Sequence, residues 1–258
     1  MKSLLRPEWL LLAVAITTGT ALAVEDRIAA AVFSAQRAGE AVPAAWTLRD
    51  SPNIKAHTRY TLVDDNGVTV LRADSSAAAA GLGRNLSVNP AELPWLRWRW
   101  KISNLIEQAD LRTREGDDFP ARLYVTFDFP LEKLPFVERN KIRLARALFD
   151  PNLPAATLCY VWDGKAAAET IVPSAYTDRV RVIVVESGSA RVGQWVAVER
   201  NVAADFRAAF GEEAPPVSGI VVATDTDNTG AKATAFFGDI FFYKHGVVKN
   251  PPAKAATP

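Results

Sequence analysis

The stretch "LPWLRWRWKIS", residues 93–103, decides the fold. It packs Trp95, Trp98 and Trp100 together with Arg97, Arg99 and Lys101. Tryptophan fills cores and arginine resists burial, so a segment this short needs two distinct faces. A strand supplies them, because successive side chains point to opposite sides of the sheet. Leu96, Trp98, Trp100 and Ile102 share one side; Trp95, Arg97, Arg99 and Lys101 share the other. The first side is expected to fill a core. The second must reach water or partners.

The same reading extends along the chain. "TRYTLVD" and "VTVLRAD" (58–64 and 68–74) flank Asp65-Asn66-Gly67, a tight-hairpin signal because Asn and Gly tolerate positive φ. "RLYVTFDF", "TLCYVWD", "RVRVIVVES", "QWVAVERNV", "SGIVVATDTD" and "TAFFGDIFFYK" are rich in β-branched and aromatic residues and separated by turn formers. The expected fold is all-β: an antiparallel β-sandwich of jelly-roll, galactose-binding-like type. One or two short inserted helices are expected: a helix at "FVERNKIRLARALF" (136–149), and one or two helical turns at "NVAADFRAAFG" (201–211) that end at Gly211.

The chain opens with Lys2 and Arg6, an unbroken apolar run from Leu10 to Ile16, and Ala21-Leu22-Ala23 before charge returns at Glu25. This order predicts a secretory signal over 1–23, cleaved after Ala23. The apolar run is shorter than the ~20 residues that span a bilayer, so no membrane span is expected after cleavage. Residues 24–248 are expected to form one sandwich domain, with 249–258 as a disordered tail. The full chain has 258 residues, with 30 Lys+Arg against 29 Asp+Glu. Losing Lys2, Arg6 and Glu8 with the leader makes it neutral, which argues against a nucleic-acid or membrane-surface partner. The single cysteine, Cys159, excludes an internal disulfide and reads as a small buried hydrophobe.

"RLYVTFDF" (122–129) alternates like the tryptophan strand: Leu123, Val125, Phe127 and Phe129 against Arg122, Tyr124, Thr126 and Asp128. If the two strands pair, Trp95, Arg97, Arg99, Arg122, Tyr124 and Asp128 share one polar surface, with Asp117 and Asp118 at the mouth of the second strand. Such a surface is either a solvated face with cross-strand ion pairs, each worth about 0.2–1 kcal/mol, or a ligand-binding face. Aromatic platforms and planar guanidinium donors suit sugars and carboxylates. Arg97 and Arg99 are expected near Arg122, with acid partners drawn from Asp117, Asp118 and Asp128.

"TDTDNTG" (224–230) is the densest cluster of oxygen ligands. Asp225, Asp227 and Asn228 form a candidate site for a structural calcium ion. The stretch is no EF-hand, because Thr229 and Phe236 stand where that loop needs an acid or amide and a glutamate. The alternative is a polar turn. With only His57 and His245 present, and no nucleophile, phosphate-loop or dinucleotide motif, no other cofactor is expected.

At "LRWRWKI", "GDDFPARLYVTFDF", "LCYVWDG", "WVAVERNVAADFRAAFG" and "VSGIVVATDTDNTGAKATAFFGDIFF", the chain resembles the bacterial family catalogued as domain of unknown function 3047, over about residues 30–244. The closing pattern also resembles jelly-roll carbohydrate-binding modules, at the level of fold. The resemblance implies a sandwich with a ligand-accepting face and a Gram-negative, periplasmic setting. The preferred expectation is a non-catalytic binding protein for a glycan or other polyhydroxylated or carboxylated ligand. The alternatives are a polysaccharide hydrolase or lyase on the same scaffold, using Asp117 or Asp118, and a structural envelope protein.

Overall fold

The computed structural model describes residues 26–50, 54–148 and 153–245. The expected signal at 1–23 and tail at 249–258 lie outside the described residues. Strands β1 (Arg27–Ala31), β2 (Thr47–Arg49), β3 (Arg59–Asp65), β4 (Val68–Ser76), β5 (Gly81–Val88), β6 (Trp95–Ile102) and β7 (Ala121–Phe127) come first. Then follow α1 (Phe136–Leu148), β8 (Ala156–Asp163), β9 (Ile171–Pro173), β10 (Val180–Ser187), β11 (Val196–Asn201), α2 (Val202–Phe210), β12 (Val217–Ala223), β13 (Lys232–Phe237) and β14 (Ile240–Tyr243).

The strands form two sheets. Sheet I runs β1-β14-β6-β13-β4-β3, with β11 on the other edge of β6; sheet II runs β2-β5-β12-β7-β8-β10-β9. All pairs are antiparallel except β8 and β10, which are parallel. The sheets stack as a β-sandwich with short helices. Asn66 and Gly67 take φ of 58° and 82°, so the β3–β4 turn has the mirror-image geometry that matches strand twist.

The tryptophan strand is seated as its alternation demands. Leu96, Trp98, Trp100 and Ile102 are at most 1% exposed. Across the core Trp98 meets Tyr160 at 5.3 Å between ring centroids, and Trp100 meets Trp162 at 6.4 Å. The inward residues of β7, Leu123, Val125 and Phe127, join the same core. Helix α2 closes one end: Asn201 caps it by accepting from the Ala204 N–H, Gly211 ends it at φ 77°, and Phe206 stacks on Phe127 at 4.6 Å.

The outer side of sheet II is also covered. Leu111 and Phe119, from the connection between β6 and β7, pack on Cys159, Val161, Val182 and Val184. Burial pushes the Cys159 thiol up to about 12, so it remains a neutral hydrophobe. No helix among the described residues is long and apolar enough to cross a membrane.

Candidate functional site

The expected pairing of 95–102 with 122–129 does not occur. Strand β6 bonds to β11, β13 and β14, and β7 bonds to β8 and β12. Their apolar sides face each other across the core, so their polar sides point apart. Trp95, Arg97 and Arg99 stand on the outer side of sheet I. Arg122 and Tyr124 stand on the outer side of sheet II, with Asp118 just before β7. The six residues form two separate sites, not one surface.

On sheet I the acids come from elsewhere. Glu199, opposite Arg97 on β11, pairs with it at 3.4 Å. Both oxygens of Asp65, at the end of β3, accept from Lys101 Nζ at 2.8 Å. The second also accepts from the Trp195 indole N–H at 2.6 Å. Lys101 chiefly holds the Asp65 carboxyl below its ordinary value. Strands β13 and β4 lie between β6 and β3 in the sheet. A flat sheet would place those outer strands about 14 Å apart, beyond the reach of a lysine and an aspartate. The β3–β4 hairpin therefore curls over the outer side of sheet I and walls it.

Within that wall the cations lie on aromatic rings. Arg99 is 4.4 Å from the Trp195 ring centroid, Lys101 4.6 Å from Phe236, and Arg97 5.8 Å from Tyr243. A Cβ on Gly238 would come within 2.6 Å of Arg99 Cγ and 2.7 Å of Nε, so only glycine lets Arg99 lie against the β13–β14 connection in this position. Arg97 and Lys101 have carboxylate partners; the Arg99 guanidinium has neither an ion pair nor a hydrogen bond among the described residues. Its donors are arranged for a planar acceptor. Trp95 is half-buried, in register with Asn201 and Tyr243. The outward rows lead through Thr234 and Asp74 into a depression of about 460 Å³, which also has His57, Arg59, Asn104 and Lys232 in its lining.

The other site is buried. Arg122 is 3% exposed and lies 4.3 Å over the Phe119 ring. Its Nε donates to Asp225 Oδ1 at 2.9 Å, its Nη2 pairs with Asp225 Oδ2 at 2.7 Å, and it also bonds the Asp117 backbone carbonyl. Asp117 Oδ2 lies 3.5 Å from Nη1, while its Oδ1 is buried without a hydrogen-bond partner. Asp118, fully buried, accepts from the Thr229 hydroxyl at 2.6 Å and from the Thr229 and Asn228 N–H groups. Burial pushes Asp225 up to about 7 against the pull of Arg122, and raises Asp117 and Asp227 as well. Burial also raises the Tyr124 phenol. One carboxylate oxygen each from Asp118, Asp225 and Asp227 lie within 4.8 Å of one another. Asn228, expected in that set, lies beside it: its backbone N–H donates to Asp118 and its side-chain amide donates to the Arg114 carbonyl and the Tyr176 hydroxyl, which leaves Oδ1 as the atom a cation would take.

Sequence reasoning missed Trp195, Asp65, Glu199, Phe236, Tyr243 and Gly238. The parity of "QWVAVE" (194–199) puts Trp195 and Glu199 on one side, but nothing local says that this strand borders β6.

Solved structures that are similar at a distance include two of carbohydrate-related proteins. One is the family 11 carbohydrate-binding module of cellulosomal cellulase Lic26A-Cel5E of Clostridium thermocellum, with 8% identity, a TM-score of 0.38, and coverage of 85% of this chain and 99% of that one. The other is the Spr0440 glycoside hydrolase domain, Endo-D, from Streptococcus pneumoniae R6, with 12% identity and a TM-score of 0.34. That match covers 78% of this chain but 22% of the other, so this chain spans about a fifth of its length. Likeness at this level carries no argument about ligand or activity. No curated protein matches the chain. The profile of the family described as "Protein of unknown function (DUF3047)" matches residues 44–241, and the chain belongs to that family.

Proposed function

We propose that this protein is an exported, non-catalytic binding protein for a glycan or other polyhydroxylated, carboxylated ligand, held on the walled outer side of sheet I. The observation that carries this reading is Arg99. It is a half-buried guanidinium, stacked on Trp195, whose donors no described residue takes. A ligand carboxylate matches that fork with two parallel hydrogen bonds. Arg97 adds charge, and the Trp95 and Tyr243 rings offer apolar platforms. The acids on this face are committed: Asp65 to Lys101 and Trp195, Glu199 to Arg97, and Asp74 to Arg59, Arg72 and Thr234. That favours binding over acid–base chemistry.

Arg99→Ala is expected to weaken binding of acidic oligosaccharides at least ~10-fold, the value of a charged hydrogen bond, with an unchanged melting temperature. Gly238→Val, which pushes Arg99 aside, should reproduce the loss. A stable Arg99→Ala protein that binds as the parent does would remove the site. Turnover of a bound oligosaccharide would replace the binding reading with the enzymatic one.

Export to the periplasm, with cleavage after Ala23, belongs to the same proposal and rests on the basic, apolar and small-residue order of 1–23. Intact mass of the protein recovered from periplasm should begin at Val24; a retained Met1 contradicts it.

A second reading concerns the buried acids. Oxygens within 4.8 Å of one another suit a calcium ion at ~2.4 Å from each. Calcium is expected to raise the melting temperature and chelator to reverse it, with ~2.7 kcal/mol gained at a hundredfold excess over Kd. Asp227→Asn should abolish the response. A melt indifferent to calcium leaves Arg122 and protons as the only counter-charge.

A further inference from the structure

The outward face of α1 takes no part in either site. Phe136, Val137 and Leu144 are 69%, 62% and 60% exposed, the three most exposed large apolar side chains among the described residues. At 3.6 residues per turn they fall within an arc of about 100°, while the buried Ile142 lies on the opposite side. The helix is therefore held by Ile142 and turns a second, largely apolar stripe to solvent, interrupted only by the half-buried Asn140. Lys141 and Arg143 border that stripe, one on each flank. Both are exposed and neither forms an ion pair with a described residue. Of the other cations, Arg146 Nε donates to the Leu153 carbonyl at 2.9 Å, and Arg139, half-buried, lies 5.8 Å from the ring centroid of Phe136 at the edge of the stripe. The helix's one acid, Glu138, is half-buried and acts on Arg179.

We propose that this face seats the protein on an anionic phospholipid surface. An apolar stripe between cations is the pattern of a helix lying in the plane of a membrane interface, with rings and branched chains among the acyl chains and cations among the phosphates. Charge decides against the other occupants. Two copies packed stripe to stripe about a two-fold axis would oppose their Lys141 and Arg143 flanks. An apolar groove on a partner protein has no use for cations on both flanks unless it is itself rimmed with acids.

The test is flotation of the full chain with two kinds of vesicle, phosphatidylcholine alone and phosphatidylcholine with phosphatidylglycerol in equal parts. The parent is expected to bind the anionic vesicles and not the neutral ones. Phe136→Ser with Leu144→Ser, and separately Lys141→Glu with Arg143→Glu, should each weaken binding at least ~10-fold, because each cation near a charged surface is worth about fivefold. All four positions are exposed or border the exposed stripe, so melting temperatures should hold, and circular dichroism checks this. No binding to anionic vesicles, equal binding to both kinds, or either double variant binding as the parent does would each overturn the proposal. So would a dimer in sedimentation equilibrium that the serine variant dissociates, which would assign the stripe to a second copy.

Discussion

Trp100→Ala is expected to destabilise the protein by about 3–5 kcal/mol, the cost of deleting a buried indole and leaving its cavity. Typical domains are stable by only ~5–15 kcal/mol, so the loss is a large share of the whole. The site cannot collapse easily. Trp100 is fully buried, 5.4 Å from Trp98 and 6.5 Å from Phe237 between ring centroids, and its backbone is bonded on both edges, to β11 and to β13. For a chain of this length each kcal/mol moves the melting temperature by about 2–4 °C. Urea melts of the two proteins, fitted with a common slope, measure the difference directly. Trp100→Phe should recover most of it, since a ring remains and the buried, unpartnered Nε1 donor is removed. An alanine variant that melts with the parent would contradict the placement of β6.

Arg122→Met should cost a similar amount, about 3–5 kcal/mol near neutral pH, because it leaves buried carboxylates without their counter-charge. Arg122 takes both oxygens of Asp225 and approaches Asp117 at 3.5 Å. The deficit should depend on pH in a definite sense. Burial already raises the folded-state Asp225 to about 7, above the ~3.9 of an unfolded aspartate. A group raised in this way contributes stability that is full below its unfolded value and is lost as pH rises through its folded value. Without Arg122 the folded value climbs further, so the variant should regain stability on acidification from about pH 7 to about pH 4, more steeply than the parent. The double variant Arg122→Met, Asp225→Asn should recover part of the loss at neutral pH. A deficit below about 1 kcal/mol, or one equal at both pH values, would show that the pair is not a buried ionic contact.

Some of these features are local, and local chemistry made them legible. Asn66-Gly67 reads as a tight turn because few other pairs accept two positive φ angles. Gly211 reads as a helix end for the same reason. Other features were hidden by averaging. A chain with nearly equal charges carries, on one helix, two exposed cations with no ion-pair partner among the described residues, which a whole-chain balance cannot register. Arg122 shows a third kind of concealment. Its parity on β7 correctly turned it away from the main core, but the connection carrying Leu111 and Phe119 covers that side as well. Alternation reports the side of the sheet, not whether water is there.

By itself the sequence determined which side of each strand is apolar, because the pleat alternates side chains whatever the neighbouring strand is. That was enough for a β-sandwich, for Trp98 and Trp100 in its core, and for Arg97 and Arg99 on an outer side. Tertiary structure alone decided the companions. Two strands with the same alternation can lie side by side in one sheet or face to face across a core, and both bury the same residues. Strands β6 and β7 stack face to face, which splits Arg99 from Arg122. The partners of the tryptophan strand come instead from Asp65 and Glu199, brought in by a curled hairpin and by a distant strand whose pairing is a property of the whole chain's packing.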